Sequence, residues 1–218
     1  MFAAGKAGQR NRTVVAIRAV ASTKNSGDSK TLIIPRPAGA TAGDTLLVIA
    51  GGEKNSLNWA PSSVNWIELT DGDLSKPAIL AAYRVLSAGD AAITDFTFSC
   101  SDATGKLGGA ILAVQDGVYN ASSATNNGDA GATATAVSVQ SNYNQSLLLA
   151  CFVNSRENTT PSTPTSMSAV SVGTDNFSPS WGVFSQYVGA SETGVRLSLL
   201  SGTGVDKFET INILFKPN

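Results

Sequence analysis

The strongest constraint on this chain is an internal repeat: the pattern of residues 31–116 returns, in degenerate form, across residues 133–217. The segment around Leu46 is echoed around Leu147, 101 positions later. A repeat constrains the architecture before any single motif does, because each copy has to form the same structural unit. We therefore expect two copies of one unit.

Other segments repeat in the same order. The apolar alternation of residues 110–114 returns at residues 211–215, and Val85 is echoed by Val188. The offset stays between 101 and 103 positions for all of these matches. Such a constant offset indicates a structural duplication.

Strand signals dominate the chain, and no window of a dozen residues sustains helical periodicity. Residues 96–100 and 195–199 alternate apolar and polar side chains, which is typical of half-buried strands. Further predicted strands are rich in Val, Ile, Leu and aromatic residues, and span residues 13–20, 31–34, 45–50, 79–86, 107–114, 147–153, 181–188 and 208–215. The expected fold is all-β, an internally duplicated antiparallel β-sandwich of jelly-roll-like type without substantial helix.

The predicted organisation has four parts. Residues 1–30 form an arm and a first strand, a candidate attachment segment, and residues 31–120 form the first β half. Residues 121–132, rich in Asn, Gly and Ala, form a connecting loop, and residues 133–218 form the second half. Because each half has one sheet face to bury, the halves are expected to pack face to face as one sandwich, with two tandem sandwiches as the alternative.

Composition argues against two classes of partner. The net charge is −1 and only 14% of residues are charged, whereas phosphate binding needs clustered Lys and Arg, so we expect no nucleic acid. The longest apolar runs, residues 45–50 and 147–153, are far shorter than the ~20 residues of a membrane helix, so we expect no membrane insertion. No apolar stretch follows Met1–Lys6 as in a signal peptide, so the protein is expected in a cytoplasm or released by lysis.

Catalytic and metal-binding motifs are scarce. The chain has no histidine, which excludes Ser-His-Asp and Cys-His arrangements and His-containing metal sites. The only cysteines, Cys100 and Cys151, are expected to be buried reduced thiols. The turn at Asp71 and Asp73 resembles a calcium loop, but its twelfth position is Ala82 rather than Glu. We expect no cofactor, no metal and no enzymatic activity.

The candidate ligand-binding residues are Trp59, Asn58, Asp71 and Asp73, all in the first half. Aromatic rings beside polar side chains are typical of sugar sites, and Trp59 lies in a polar segment. Its ring either packs onto the core or faces a ligand.

The remaining Trp and Tyr residues of the predicted strands are expected in the core; they are Trp66, Trp181, Tyr83 and Tyr187. In the second half, Ala169 takes the place of Trp66. The first half is therefore the better place to seek a binding surface.

Several segments together resemble a known family; they are Pro37–Leu47, Pro61–Leu69, Ala82–Val85, Asp95–Phe98 and Gly108–Ala113. In these residues the chain is similar to small β-sandwich proteins encoded in the structural regions of tailed bacteriophages and prophages. The resemblance covers most of the chain beyond residue 30. It implies a virion surface protein such as a tail fibre, receptor-binding tip, head fibre or decoration protein, with no catalytic residues.

The expected function is therefore that of a non-enzymatic virion protein, assembled in the host cytoplasm as a homo-oligomer. Its expected partners are capsid, collar or tail proteins, with a host-surface glycan as a further candidate. Lys6, Arg10 and Arg12 would lie in an attachment arm. The alternatives are a carbohydrate-binding module and a glycan hydrolase that uses two of the chain's carboxylates.

Overall fold

Strands make up nearly all the regular structure in the computed structural model. It describes residues 14–25, 27–52, 59–61, 65–70, 79–101, 105–127, 133–154, 160–173, 179–201 and 208–218. None of the helical segments in these ranges has the length and apolar character needed to cross a membrane.

Within the described residues, each half contributes eight strands. Those of the first half are β1 (Ala16–Lys24), β2 (Thr31–Pro35), β3 (Thr45–Gly52), β4 (Trp59–Pro61), β5 (Ile67–Thr70), β6 (Ile79–Val85), β7 (Asp95–Cys100) and β8 (Leu107–Gln115). Those of the second half are β9 (Gly117–Asn127), β10 (Thr133–Ala136), β11 (Ser146–Asn154), β12 (Thr160–Pro161), β13 (Ser168–Gly173), β14 (Ser180–Val188), β15 (Arg196–Ser201) and β16 (Phe208–Pro217). One short 3-10 helix, Ala88–Ala92, follows β6.

The strand pairing is nested and is the same in both halves. In the first half β1 pairs with β8, β2 with β7 and β3 with β6, all antiparallel. In the second half β9 pairs with β16, β10 with β15 and β11 with β14. Each half thus has a five-stranded and a three-stranded sheet, in the orders β1-β8-β3-β6-β5 and β2-β7-β4, then β9-β16-β11-β14-β13 and β10-β15-β12. This nesting is that of a jelly roll, so the predicted fold class is confirmed.

The duplication extends to irregularities of the strands. Arg18 is the extra residue of a β-bulge in β1, and Asn120 is the extra residue of a bulge in β9, 102 positions later. Leu69 in β5 and Val170 in β13 are the extra residues of a second pair of bulges, 101 positions apart. A bulge re-aims a strand locally, so bulges at equivalent positions align the two halves independently of residue type.

The bulges correct the sequence alignment of the central strands. The bulges make Ile17 of the first half equivalent to Tyr119 of the second. Following the paired residues from strand to strand then makes Thr45 equivalent to Leu147 and Val85 equivalent to Tyr187. The echoes of Leu46 by Leu147 and of Val85 by Val188 are each wrong by one residue. Both faces of these strands are apolar, so hydrophobicity alone does not distinguish neighbouring registers.

The counterpart of Trp66 is also corrected. Asn65 and Ser166 both have positive φ, 79° and 66°, and lie 101 positions apart. The residue after each, Trp66 or Met167, is partly buried against the apolar core between the two sheets of its own half, which we call the inner core of that half. Met167, rather than Ala169, therefore stands in the place of Trp66.

Three apolar cores divide the molecule into four layers. Between the two sheets of the first half, Leu46, Val48 and Leu80 pack against Phe96 and Phe98. The second half buries Ala150, Phe152 and Phe184 against β10, with Leu148 beside them. The two five-stranded sheets bury a third core against each other, formed by Leu47, Ile49, Ile79, Leu112 and Val114 with Leu149, Cys151, Trp181, Ile213 and Phe215.

The boundaries of the halves differ from those predicted. Residues 121–132 are not a connecting loop throughout, because β9 runs over Gly117–Asn127 along β16. The halves meet at Asp116, the single residue between β8 and β9, which has a φ of 54°. The first half begins at β1 rather than at residue 31, and each half is itself a sandwich, so the halves do not share one sandwich.

The prediction that both cysteines are buried is confirmed. Cys100 lies in the inner core of the first half, and Cys151 lies in the core between the halves. Burial raises the pKa of the Cys151 thiol, so this side chain acts as a small apolar group.

The contact between the halves has pseudo-two-fold symmetry. Gly108 of β8 faces Trp181 of β14, and at the equivalent place Glu209 of β16 faces Ile79 of β6. The buried Glu209 accepts a hydrogen bond from the Ile79 backbone N–H at 2.8 Å. The same positions of both halves thus meet each other, as in an isologous dimer.

Gly108 tests the tightness of this contact. A Cβ at Gly108 would lie 2.7 Å from Cζ3 of Trp181. Because the indole is itself buried, we expect Gly108→Ala to lower the free energy of unfolding by about 1–3 kcal/mol through overpacking. The measurement is urea denaturation followed by circular dichroism. The control is Gly89→Ala, where the nearest atom would lie at 3.6 Å and the change should stay within about 0.5 kcal/mol. Equal effects of the two substitutions would contradict the tight contact.

Candidate functional site

Trp59, the residue that the sequence singles out, lies in the core. Its side chain is 4% exposed and belongs to the inner core of the first half. It opens β4, where it pairs with Cys100 of β7. Of the two alternatives for this ring, the structure places it on the core, so it offers no face to a ligand.

Six further predicted site residues lie in parts of the chain that the structure does not describe. Asn58, Asp71 and Asp73 lie outside the described residues, as do the basic residues of the proposed arm, Lys6, Arg10 and Arg12.

The expectation of core packing holds for three of the other four aromatic residues, Trp181, Trp66 and Tyr83. Trp181 is 3% exposed, and Trp66 is partly buried with edge contacts to Phe96 and Phe98. Tyr187 contradicts the expectation, since it is 53% exposed and its hydroxyl donates to the Val15 carbonyl at 2.7 Å. Tyr83 is half-buried and lies beside a cleft described below.

The placement of Trp59 is testable through stability. Trp59→Ala removes a large buried side chain, and we expect it to cost about 3–5 kcal/mol of unfolding free energy, measured by urea denaturation. Val195→Ala, at a site that is 52% exposed and outside the strands, is the matched control and should change stability by less than about 0.5 kcal/mol. A loss at Trp59 no larger than that of the control would place the ring outside the core.

A first cluster of charged residues surrounds Arg84. Its guanidinium is 4% exposed, pairs with Asp90 at 2.6 Å and lies 5.6 Å from the ring centroid of Phe96. Asp90 also accepts hydrogen bonds from the Ser87 backbone N–H and hydroxyl, both at 2.8 Å, and so caps the 3-10 helix. The Arg84 contacts tie β6 to the 3-10 helix and to β7, which makes the cluster structural.

Asp90 should make the free energy of unfolding decrease as the pH falls into the acid range. Hydrogen bonds from the Ser87 backbone and hydroxyl, reinforced by Arg84, hold the pKa of Asp90 below its usual value. The stabilisation is therefore complete above the usual Asp pKa of about 4 and is lost as the pH falls below it. We expect Asp90→Asn to lose less unfolding free energy than the original chain between about pH 5 and pH 3, measured by urea denaturation at each pH. Parallel pH profiles for the two proteins would contradict this assignment.

A polar cleft of about 320 Å³ lies at the junction of the two halves, and we call it the seam cleft. It is lined by residues 41–45, by residues 116–119 and by Arg18, Tyr83, Val85 and Asn218. Residues 116–119 carry the chain from the first half into the second, so the cleft lies where the two five-stranded sheets join.

An ion pair forms one wall of the seam cleft. Arg18 is placed there by the bulge in β1, and its Nε donates to Oδ2 of Asp44 at 2.9 Å. The same Oδ2 accepts a hydrogen bond from the Thr41 backbone N–H at 2.9 Å. Asp44 is held further by its backbone, which bonds Leu86 and Thr41, so the carboxylate is fixed in place.

Two stacked tyrosines form a second part of the lining. The rings of Tyr83 and Tyr119 stack with centroids 4.7 Å apart and an interplanar angle of 20°. The Tyr119 hydroxyl is hydrogen-bonded to Ser122 at 3.0 Å, whereas the Tyr83 hydroxyl makes no hydrogen bond to any described group. Burial, with a smaller effect of Tyr119, raises the pKa of the Tyr83 phenol, so its hydroxyl keeps its proton.

The equivalent positions at the other seam carry none of these groups. The alignment of the halves places Asn120 at the position of Arg18, Ser146 at that of Asp44 and Ser185 at that of Tyr83. Ile17 stands where Tyr119 would be. The jelly roll therefore forms without an ion pair or an aromatic pair at this place.

Sequence reasoning missed the seam cleft because its residues are scattered. Arg18, Asp44, Tyr83 and Tyr119 belong to different strands and turns, and no spacing motif connects them. A correctly aligned repeat supplies the one signal, since Arg18, Asp44 and Tyr83 stand where the other copy has Asn120, Ser146 and Ser185.

The described residues bring no three Cys, Asp or Glu side chains together in a way that could hold a metal ion. The groups that line the seam cleft include one guanidinium, the carboxylates of Asp44 and Asp116, the two phenols and the amide of Asn218. Such groups can donate and accept hydrogen bonds around a polar ligand.

Comparison of the chain with protein-family models, with curated proteins and with solved structures finds no match.

Proposed function

We propose that this chain is a non-enzymatic surface protein of a bacteriophage virion, acting by attachment to capsid, collar or tail proteins. It would be assembled in the host cytoplasm as a homo-oligomer. The candidate forms are a tail fibre, a receptor-binding tip, a head fibre and a decoration protein.

The fusion of two jelly rolls into one rigid body carries the proposal. The halves are joined by one residue, Asp116, and by a continuous apolar core between their five-stranded sheets. A joint of this kind leaves no hinge between the halves, which suits a component that must hold a fixed shape on a particle. Jelly rolls are also common among viral capsid and lectin domains.

A fold alone does not establish a function, so the sequence resemblance is the second support. The segments that carry it include strands at the centre of the first half, such as Ala82–Val85 in β6 and Gly108–Ala113 in β8. The charge pattern adds a third, because a near-neutral chain suits binding to protein surfaces better than binding to phosphate backbones.

Removal of residues 1–12 tests the attachment role. Particles assembled without the protein are incubated with the purified chain and sedimented. We expect the full chain to co-sediment and the shortened chain to bind at least tenfold less, because the basic arm would contact the neighbouring subunit. Circular dichroism and light scattering check that the shortened chain keeps its fold and its oligomeric state.

The control is Lys106→Gln, a single charge change outside the arm, which should leave co-sedimentation unchanged. Failure of the full chain to bind any virion component would overturn the proposed function. Unimpaired binding of the shortened chain would overturn the role of the arm alone.

A further inference from the structure

We propose that the seam cleft binds one residue of an uncharged, polyhydroxylated ligand, that is, a sugar. The inference goes beyond attachment to other virion proteins and holds whether or not the chain belongs to a particle. It assigns the ligand-contacting groups to Arg18, Asp44, Tyr83 and Asp116.

The first argument is the second copy of the fold. If Arg18, Asp44 and Tyr83 were needed for folding, the equivalent seam should carry similar groups. It carries Asn120, Ser146 and Ser185 instead, in strands with the same pairing and the same bulge. The pairing and the bulge of these strands thus form in the second half without an ion pair or a tyrosine at these three positions.

The second argument is that contacts within the protein hold the polar groups of the seam cleft in place but occupy only some of their hydrogen-bonding atoms. Within the described residues, Arg18 is paired through Nε and Asp44 through Oδ2. Their contacts leave the two terminal nitrogens of Arg18 and Oδ1 of Asp44 to bond a ligand. The protonated Tyr83 hydroxyl adds a donor and acceptor. Vicinal sugar hydroxyls, each both donor and acceptor, match such a set.

The third argument concerns charge and size. One cation, Arg18, faces the two carboxylates of Asp44 and Asp116, so the cleft does not favour an anion such as a phosphate. The wall of Tyr83 and Tyr119, with Val85 and Val118, supplies the apolar surface on which the C–H groups of a sugar ring can pack. A cleft of about 320 Å³ accommodates a single sugar residue and is at the small end of ligand sites.

The test uses saturation-transfer-difference NMR on the full chain with glucose, galactose and N-acetylglucosamine, each up to about 50 mM, a range that detects millimolar affinity. The same measurement is repeated with purified host-surface polysaccharide. If a free monosaccharide binds, one sugar residue is sufficient for recognition. If only the polysaccharide binds, the cleft recognises a sugar residue as part of a longer glycan. Either result supports the proposal if the variants below respond.

The variants introduce the residues that stand at the equivalent positions of the other seam. Tyr83→Ser and Arg18→Asn should each weaken binding at least tenfold, and Tyr83→Phe should weaken it less than Tyr83→Ser because the ring remains. The matched controls are Ser185→Ala and Asn120→Ala at the equivalent seam, which should leave binding unchanged. Circular dichroism confirms that each variant is folded.

The proposal is overturned if neither the monosaccharides nor the polysaccharide bind the full chain. It is equally overturned if folded Tyr83→Ser and Arg18→Asn bind as tightly as the original chain. Co-sedimentation of Tyr83→Ser with particles separates the two functions, since a loss of sugar binding with normal sedimentation leaves attachment intact.

Discussion

Burial of both faces of the two five-stranded sheets is the constraint on which the rest of this structure depends. Every residue of β3 and of β11 is buried, so neither strand has a face to present to water. One face of each sheet is covered by the three-stranded sheet of its own half, and the other face can be covered only by the other half. Since an exposed face of this size would be strongly unfavourable, the two halves are expected to fold as one body.

The same constraint explains the close reciprocal contacts at the centre. Gly108 leaves room for the Trp181 indole, and at the equivalent place the Glu209 carboxylate reaches the Ile79 backbone. A glycine and a glutamate thus occupy equivalent positions, each matched to the residue that faces it. The interface is symmetric in its strands and asymmetric in its side chains.

Other equivalent positions of the two halves also carry different side chains. Arg84 in the first half pairs with Asp90, whereas the equivalent Gln186 accepts a hydrogen bond from Arg196 at 2.7 Å. At the seams, the residues of the ion pair and the stacked tyrosines correspond to Asn120, Ser146, Ser185 and Ile17 on the other side. A duplicated frame lets one copy keep the residues that folding requires while the other copy acquires different chemistry.

The sequence by itself determined the strand content, the duplication and most of the central strands, because apolar runs bounded by turns are local signals. It did not reveal β9, whose Ser, Asn and Thr residues resemble a loop and are held in a strand by pairing with β16. Only the tertiary structure decided which residues of β3 and β11 are equivalent in the two halves. Each strand is apolar on both faces, so a shift of the alignment by one residue leaves the hydrophobic pattern unchanged. Only the tertiary structure buried Trp59 and brought Arg18, Asp44, Tyr83 and Tyr119 together, because long-range strand pairing sets those distances and no spacing along the chain records them.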